Sequence, residues 1–349
     1  MNYTISGIQQ IGVGVSDLSA AWEWYRKAFG MDVPVFQEAA EAPLMVRYTG
    51  GEVHSRNAVL AINLSGGGGF EIWQYTSRVP AAPASAPEIG DPGVFAPVLK
   101  TRATQEAHDH LTAIGAEVSR PTPGPDGVER IFVTDPYGNV FQVAPSKEWF
   151  GSPAVVGGVS GAMIGCSSIE RTLPLYRDVL GYDTIVYDER GSFPDLVSLR
   201  GGAGELRRVL LAHSAPRVGP FSELMGPSTI ELVESSGPSR PAIFEDRYWG
   251  DLGFIHLCFD VRGMDALAAR CATASHPFTV DSAQTFDMGD AGGRFSYVED
   301  PDGTLIEFVE THKLPVFKPL GLGLNLTRRP ADRALPSWMI RLLGLTRVK

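Results

Sequence analysis

The chain has 349 residues, 44% of them hydrophobic, and 40 acidic against 30 basic side chains give a net charge of −10. Both signs are interspersed, which excludes the Lys/Arg stripe needed to replace counterions along a nucleic acid, and no apolar run approaches the length of a bilayer span. Cys166, Cys258 and Cys271 form no Cys-x-x-Cys pair and cannot all be joined in disulfides, and Met1 to Gln10 lack the order of a secretory signal, so the expected location is cytoplasmic.

In chain order, a short apolar strand leads into Ser16-Asp-Leu, where Ser16 is placed to cap a helix that ends at Gly30. Strand-like runs follow at Ala58 to Asn63 and around Glu71 in Gly69-Phe-Glu-Ile-Trp73. The Pro/Ala/Ser stretch Val79 to Pro92 reads as an exposed linker. A second opening strand, Gly93 to Leu99, precedes a predicted helix over Gln105 to Ile114, a strand at Ile131 to Val133, and the sequence Asp135-Pro-Tyr-Gly-Asn-Val-Phe-Gln142. The Gly/Ser/Pro-rich segment Ser146 to Val159 marks a boundary.

Beyond that boundary the pattern repeats. Ser167 to Asp183 aligns without gaps on Ser16 to Asp32, so that Tyr25, Arg26, Gly30 and Asp32 recur as Tyr176, Arg177, Gly181 and Asp183. Strands are predicted at Leu196 to Leu199, Val209 to Ala212 and around Glu231 in Thr229-Ile-Glu-Leu-Val233. A connector, Ser235 to Gly250, carries Phe244, Tyr248 and Trp249, aromatics suited to a pocket mouth or to a packed link. Gly253 to Val261 then opens a fourth unit, with a helix over Met264 to Ala272, a strand at Phe295 to Val298, and Asp300-Pro-Asp-Gly-Thr-Leu-Ile-Glu307. The two Asp-Pro-x-Gly sequences set tight turns through proline's fixed φ and glycine's tolerance of positive φ, and each feeds a strand ending in a polar side chain flanked by apolar ones, which faces either solvent or a concave interior. Near the C-terminus, Trp338, Met339, Ile340, Leu342 and Leu343 fall on one predicted amphipathic helix, expected to dock on the protein's own surface.

These elements define an α+β fold of four βαβββ units in two halves. The expected divisions are residues 1–150, residues 151–315, and a tail over residues 316–349.

Paired βαβββ units, an opening strand running into Ser-Asp-Leu and a Tyr-bearing helix, and the closing Asp-Pro-x-Gly-x-x-x-Glu element together resemble the vicinal oxygen chelate superfamily. Its members include glyoxalase I, methylmalonyl-CoA epimerase, extradiol dioxygenases and the bleomycin resistance proteins. The resemblance implies that the four units form two tandem half-barrel domains with four inward strand positions in each: Gln10, Glu71, Ala96 and Gln142 in the first half, and Gly161, Glu231, His256 and Glu307 in the second. With units paired in sequence order, Glu231, His256 and Glu307 form an open site for a divalent Fe, Mn, Co, Ni or Zn ion, and no catalytic metal is expected in the first half.

Glu231 and Glu307 are then the expected catalytic carboxylates, with Tyr297, Phe295, Trp249 and Arg294 expected at the substrate. Three readings follow from the resemblance. One is a glyoxalase- or epimerase-like lyase or isomerase acting on a small oxygenated molecule. Another is an Fe(II)- and O2-dependent dioxygenase of the extradiol or 4-hydroxyphenylpyruvate type, whose members place a second His where this chain has Gly161. The third is a metal-free binding or resistance protein. A small-molecule substrate is the expected partner, with no nucleic acid and no membrane span, and a homodimer fits the same outline.

Overall fold

Local chemistry fixes the first unit. In the computed structural model, which describes residues 3–238, 240–283, 286–288, 291–317 and 322–348, strand β1 (Thr4–Gly14) leads into helix α1 (Leu18–Phe29). Asp17 rather than Ser16 caps the helix, its carboxylate accepting from the Ala20 amide at 3.0 Å. Gly30 ends it in the left-handed region at φ 64°. Strands β2 (Val33–Glu41), β3 (Ser55–Ile62) and β4 (Gly69–Tyr75) complete the unit.

The second unit comprises β5 (Gly93–Thr101), α2 (Thr104–Ala113), the two-residue strands β6 (Glu117–Val118) and β7 (Thr122–Pro123), β8 (Glu129–Thr134) and β9 (Val140–Pro145). The third runs β10 (Val159–Gly165), α3 (Ile169–Pro174), β11 (Thr184–Gly191), β12 (Leu206–Ala212), the single turn α4 (Ser222–Met225) and β13 (Thr229–Ser235). Pro174 lies inside α3, and the chain widens there into a π turn over Leu175–Val179. The strand expected at Leu196 to Leu199 is instead a 3-10 turn, Pro194–Leu196, because Pro194 has no N–H to give a ladder and fixes the turn at its first position.

The fourth unit holds β14 (Gly253–Arg262), α5 (Met264–Thr273), β15 (Val280–Asp281), β16 (Phe286–Met288), β17 (Ala291–Glu299) and β18 (Leu305–Phe317). A strand β19 (Leu322–Asn325) follows against β18. The expected amphipathic helix shortens to α6 (Ser337–Arg341) and a 3-10 turn over Leu342–Thr346. Ile340 and Leu343 are buried against Phe221, Leu224 and Met225, while Trp338 faces outward. Among the described residues no helix is long and apolar enough to cross a membrane.

The strands form two sheets. One runs β15-β17-β18-β14-β1-β4-β3-β2 and the other β11-β12-β13-β10-β5-β9-β8-β6. The first unit therefore pairs with the fourth, through antiparallel β1 and β14, and the second with the third, through β5 and β10. Pairing in sequence order, first with second and third with fourth, does not occur. Each sequence repeat gives one unit to each half-barrel, so a division near residue 150 separates the repeats and not the sheets. The segments Val79 to Pro92 and Ser235 to Gly250 carry the chain from one sheet to the other.

What joins successive units is the helix side. Tyr25 of α1 donates to Asp135 in the turn of the second unit at 2.7 Å, and Tyr176 donates to Asp300 in the turn of the fourth at 3.3 Å. Both aspartates also hold their own turns: Asp135 accepts from the amides of Tyr137 and Asn139, and Asp300 from those of Asp302 and Thr304. Helix-side residues of both sheets, among them Ile11, Phe70, Leu99, Phe141, Ile164, Leu257 and Phe308, share one core. The concave faces keep separate clusters. Tyr25→Phe removes a hydrogen bond to a buried carboxylate and is expected to cost roughly 2 kcal/mol in urea-unfolding stability; an unchanged midpoint contradicts this role.

Candidate metal centre

Strand alternation places Gln10 on β1, Glu71 on β4, His256 on β14 and Glu307 on β18, all facing the hollow of the first half-barrel. The register brings them level: Gly12 lies opposite both Glu71 and His256, Gln10 opposite Cys258, and Cys258 opposite Glu307. His256 Nε2 stands 3.1 Å from Glu307 Oε2 and 3.5 Å from Glu71 Oε2. Gln10 Nε2 donates to the same two oxygens at 3.4 and 3.2 Å. One donor atom from each of Glu71, His256 and Glu307 lies within 4.8 Å of the others.

Room for the imidazole comes from Gly12. A Cβ there would overlap the ring, 2.7 Å from each of its nitrogens. On the far side the Tyr297 hydroxyl lies 3.4 Å from His256 Nδ1, and Trp249 stacks on the ring at 6.5 Å between centroids. Nε2 is thereby turned toward the carboxylates.

All four side chains are buried. Burial, and next the neighbouring Glu307 carboxylate, push Glu71 up to about 7. Burial acts against a charged His256, but the Glu307 carboxylate and its hydrogen bond, with Glu71 adding, outweigh it and raise the imidazole. The Cys258 thiol is pushed up by burial and then by Glu307, as befits an inert core thiol. Among the described residues, His256 Nε2 and Gln10 Oε1 are buried without a hydrogen-bond partner that meets ordinary geometry. Two buried carboxylates and an imidazole whose donor atoms lie within 4.8 Å of one another suit a divalent cation. On donor chemistry the residues fit the metal.

Glu231 lies elsewhere. It sits on β13, in the second half-barrel, so its expected partnership with His256 and Glu307 is corrected to Glu71 with His256 and Glu307. Glu231 Oε1 accepts from Arg208 Nε at 2.5 Å and from the Tyr187 hydroxyl at 2.6 Å. Arg208 Nη1 also bridges both oxygens of Asp195, at 2.9 and 3.0 Å. Burial raises the Glu231 carboxyl, but Arg208 more than offsets it and holds the group below its usual range.

The register shows how the two hollows diverged. Leu60 lies opposite Glu71 and Leu210 opposite Glu231, which makes Ala58 and Arg208 equivalent positions. Gly12 and Met163 are equivalent in the same way, as are His256 and Ala96 at the fourth residue of β14 and β5. The second hollow is thus filled by Met163, which accepts weakly from Gln142 at 3.6 Å, and by the Arg208 guanidinium.

Of the residues expected at the substrate, Tyr297, Phe295 and Trp249 join the cluster around His256. Arg294 does not. It alternates with Phe295 and Tyr297 along β17, on the same face as Ser296, and its guanidinium is held on the outer side by Asp281 and Asp265. Sequence reasoning left Glu71 and Gln10 out of the site because it assigned both to a half without a metal. The one local signal for them is Gly12, a strand-interior glycine where its repeat partner has Met163.

A cavity opens on the carboxylates. Gln10, Glu71 and Glu307 line it together with Arg56 and a set of apolar side chains from β2, β3, α4 and the C-terminal tail.

The sequence model of the Glyoxalase/Bleomycin resistance protein/Dioxygenase superfamily matches residues 7–143 and 158–308. Among solved structures, glyoxalase I from Zea mays superposes with a TM-score of 0.53 at 13% identity, over 87% of this chain and 92% of that one. A putative dioxygenase from Bacillus subtilis subsp. subtilis str. 168 gives 0.55 at 13% identity, over 88% and 86%. At such identity the likeness concerns the fold alone. No curated protein matches the sequence.

Arg208→Met strands Glu231 and Asp195 as buried charges and is expected to destabilise the chain by about 3–5 kcal/mol in chemical unfolding. A loss well under 1 kcal/mol contradicts the view that this guanidinium holds the second hollow together.

Proposed function

Since the chain belongs to the Glyoxalase/Bleomycin resistance protein/Dioxygenase superfamily, we propose that it is a metal-dependent isomerase or lyase of the glyoxalase or epimerase kind, acting on a small oxygenated substrate in the hollow shared by its first and fourth units. The observation that carries this reading is the convergence of His256 Nε2 with the facing carboxylates of Glu71 and Glu307, 3.5 and 3.1 Å away, in a buried hollow. Without a cation, two carboxylates at this spacing repel each other in a medium of low dielectric.

Glu71, His256 and Glu307 would hold the ion, with the Gln10 amide beside them. Bound there, a divalent metal supplies Lewis-acid polarisation of two neighbouring substrate oxygens and stabilises negative charge that develops beside them. The proton work falls to the chain's own carboxylates, since Glu71 and Glu307 line the cavity and His256 does not. One of them takes a proton from a carbon next to a carbonyl and returns it to the adjacent carbon, or to the other face of the same carbon. Net charge and atoms are conserved, and no outside oxidant is needed. Burial favours this role, because a carboxylate held in an apolar hollow is a stronger base than one in water. One imidazole with two carboxylates also departs from the two-imidazole, one-carboxylate set of the dioxygenases, which favours proton transfer over oxygen chemistry.

Protein purified without added metal is expected to retain about one divalent ion per chain by elemental analysis. His256→Ala, Glu71→Gln and Gly12→Ala should each lose it, and Glu231→Gln should keep it. Absence of any retained ion in the unaltered chain, or unchanged content in His256→Ala, overturns the proposal.

The metal-free protein should also respond to pH. Glu71 has a folded value of about 7 against an ordinary 4.5, so between those values the folded state holds the extra proton. Its contribution to stability therefore falls as pH rises through that window, by on the order of 3 kcal/mol. His256, raised in the folded state, loses its stabilising contribution in the same direction. Chelator-treated protein should unfold at lower urea at pH 7.5 than at pH 5, and Zn2+ or Mn2+ should remove most of that difference.

A further inference from the structure

The cavity beside the carboxylates has a direction. Along the inner face of β3, Arg56 lies opposite Tyr75, Leu60 opposite Glu71, and Ile62 beyond them. Ile62 packs in one apolar cluster with Phe221, Leu224, Met225 and Leu343, contributed by α4 with its preceding residue and by the C-terminal tail. The space thus runs from Arg56, past Glu71 and Glu307, to a hydrocarbon wall, and encloses about 1000 Å³ including its open mouth.

Among its described lining residues Arg56 is the one cationic side chain. It is 6% exposed and stacks over Trp73, with 4.6 Å from guanidinium carbon to ring centroid. Nη2 donates to Glu38 at 2.6 Å, while Nε and Nη1 are buried without a partner. Unclaimed guanidinium N–H groups at a cavity wall are costly unless something that enters the cavity accepts from them. Glu38 already balances the charge, so the acceptor need not be an anion. An apolar wall at the other end offers nothing to a phosphate, a peptide carboxylate or a nucleotide.

We propose that the substrate is an uncharged molecule with vicinal oxygens at one end and an aromatic or branched hydrocarbon body at the other: Arg56 donates to one of its oxygens, and the body lies against Phe221, Leu224, Met225 and Leu343. This rests on the proposed function only in taking the carboxylate end as the reacting end. Arg56 acts as a binding and orienting group, and the α4 and tail residues set the specificity for size.

Calorimetric titration of the full-length chain with 2-hydroxyacetophenone, hydroxyacetone and dihydroxyacetone phosphate tests it. The aromatic ketone is expected to bind at least about ten-fold more tightly than hydroxyacetone, which lacks the body, and the phosphate more weakly than either. Arg56→Met should weaken both ketones by about ten-fold, the loss of one charged hydrogen bond. Leu224→Asn should weaken the aromatic ketone alone. The three-ligand order is read on the unaltered chain, so a variant that fails to fold does not spoil the test. Equal binding of the two ketones, tighter binding of the phosphate, or no binding of either ketone overturns the proposal. Metal content is measured on the same protein, which keeps the two proposals apart. Loss of the ion with the ligand order intact sinks the metal reading alone, and a retained ion without that order sinks the substrate class alone.

Discussion

Everything at the candidate centre depends on antiparallel pairing between β1 and β14, strands from opposite ends of the sequence. That ladder sets Gly12 across from His256, and only a residue without a Cβ leaves room for the ring. The same ladder, continued by the parallel pairs β1 with β4 and β14 with β18, brings Gln10, Glu71 and Glu307 level with the imidazole. Because side chains alternate along a strand, a slip of one residue would turn all four away from the hollow.

The two half-barrels solve one electrostatic problem in two ways. Each carries a buried glutamate at the same strand position, Glu71 in one and Glu231 in the other, and a buried carboxylate needs a cation or a proton. In the second hollow the cation belongs to the chain: Arg208, at the position of Ala58, serves Glu231 and Asp195 together. In the first, with Ala58 and Gly12 leaving space, the chain supplies His256, Gln10 and a second carboxylate. A permanent guanidinium makes a closed structural plug, whereas the other set is open to a ligand from outside.

Much of this was legible in the residues. The repeat of Tyr25 and Gly30 as Tyr176 and Gly181, and the twin Asp-Pro-x-Gly turns, located the units, and helices α2 and α5 fall within a residue of their expected limits. The family resemblance supplied the inward positions, Gln10, Glu71, His256 and Glu307 among them. What the linear order did not reveal was which unit lies beside which. That is decided by contacts between strands far apart in the chain, and the local pattern of β4 is the same whether β1 has β5 or β14 as its other neighbour. Glu231 was therefore joined to the wrong partners although its own orientation was inferred correctly. Arg294 failed for a different reason: one step along β17 separates the cavity side from the acidic outer side, and Asp281 and Asp265 claim it there.

Exchange of units between the repeats also bears on how the molecule comes into being. Gln10 and Glu71 emerge early from the ribosome and must wait for nearly the whole chain before His256 and Glu307 can meet them. Closing so long a loop carries a large entropic cost before any contact rewards it. The first half-barrel cannot be completed before the fourth unit has been made, while the second and third units, adjacent in the chain, are free to join sooner. A cut in the segment between the repeats would leave two interlocked pieces, each holding half of the centre, so chain continuity there serves assembly more than it serves the finished site.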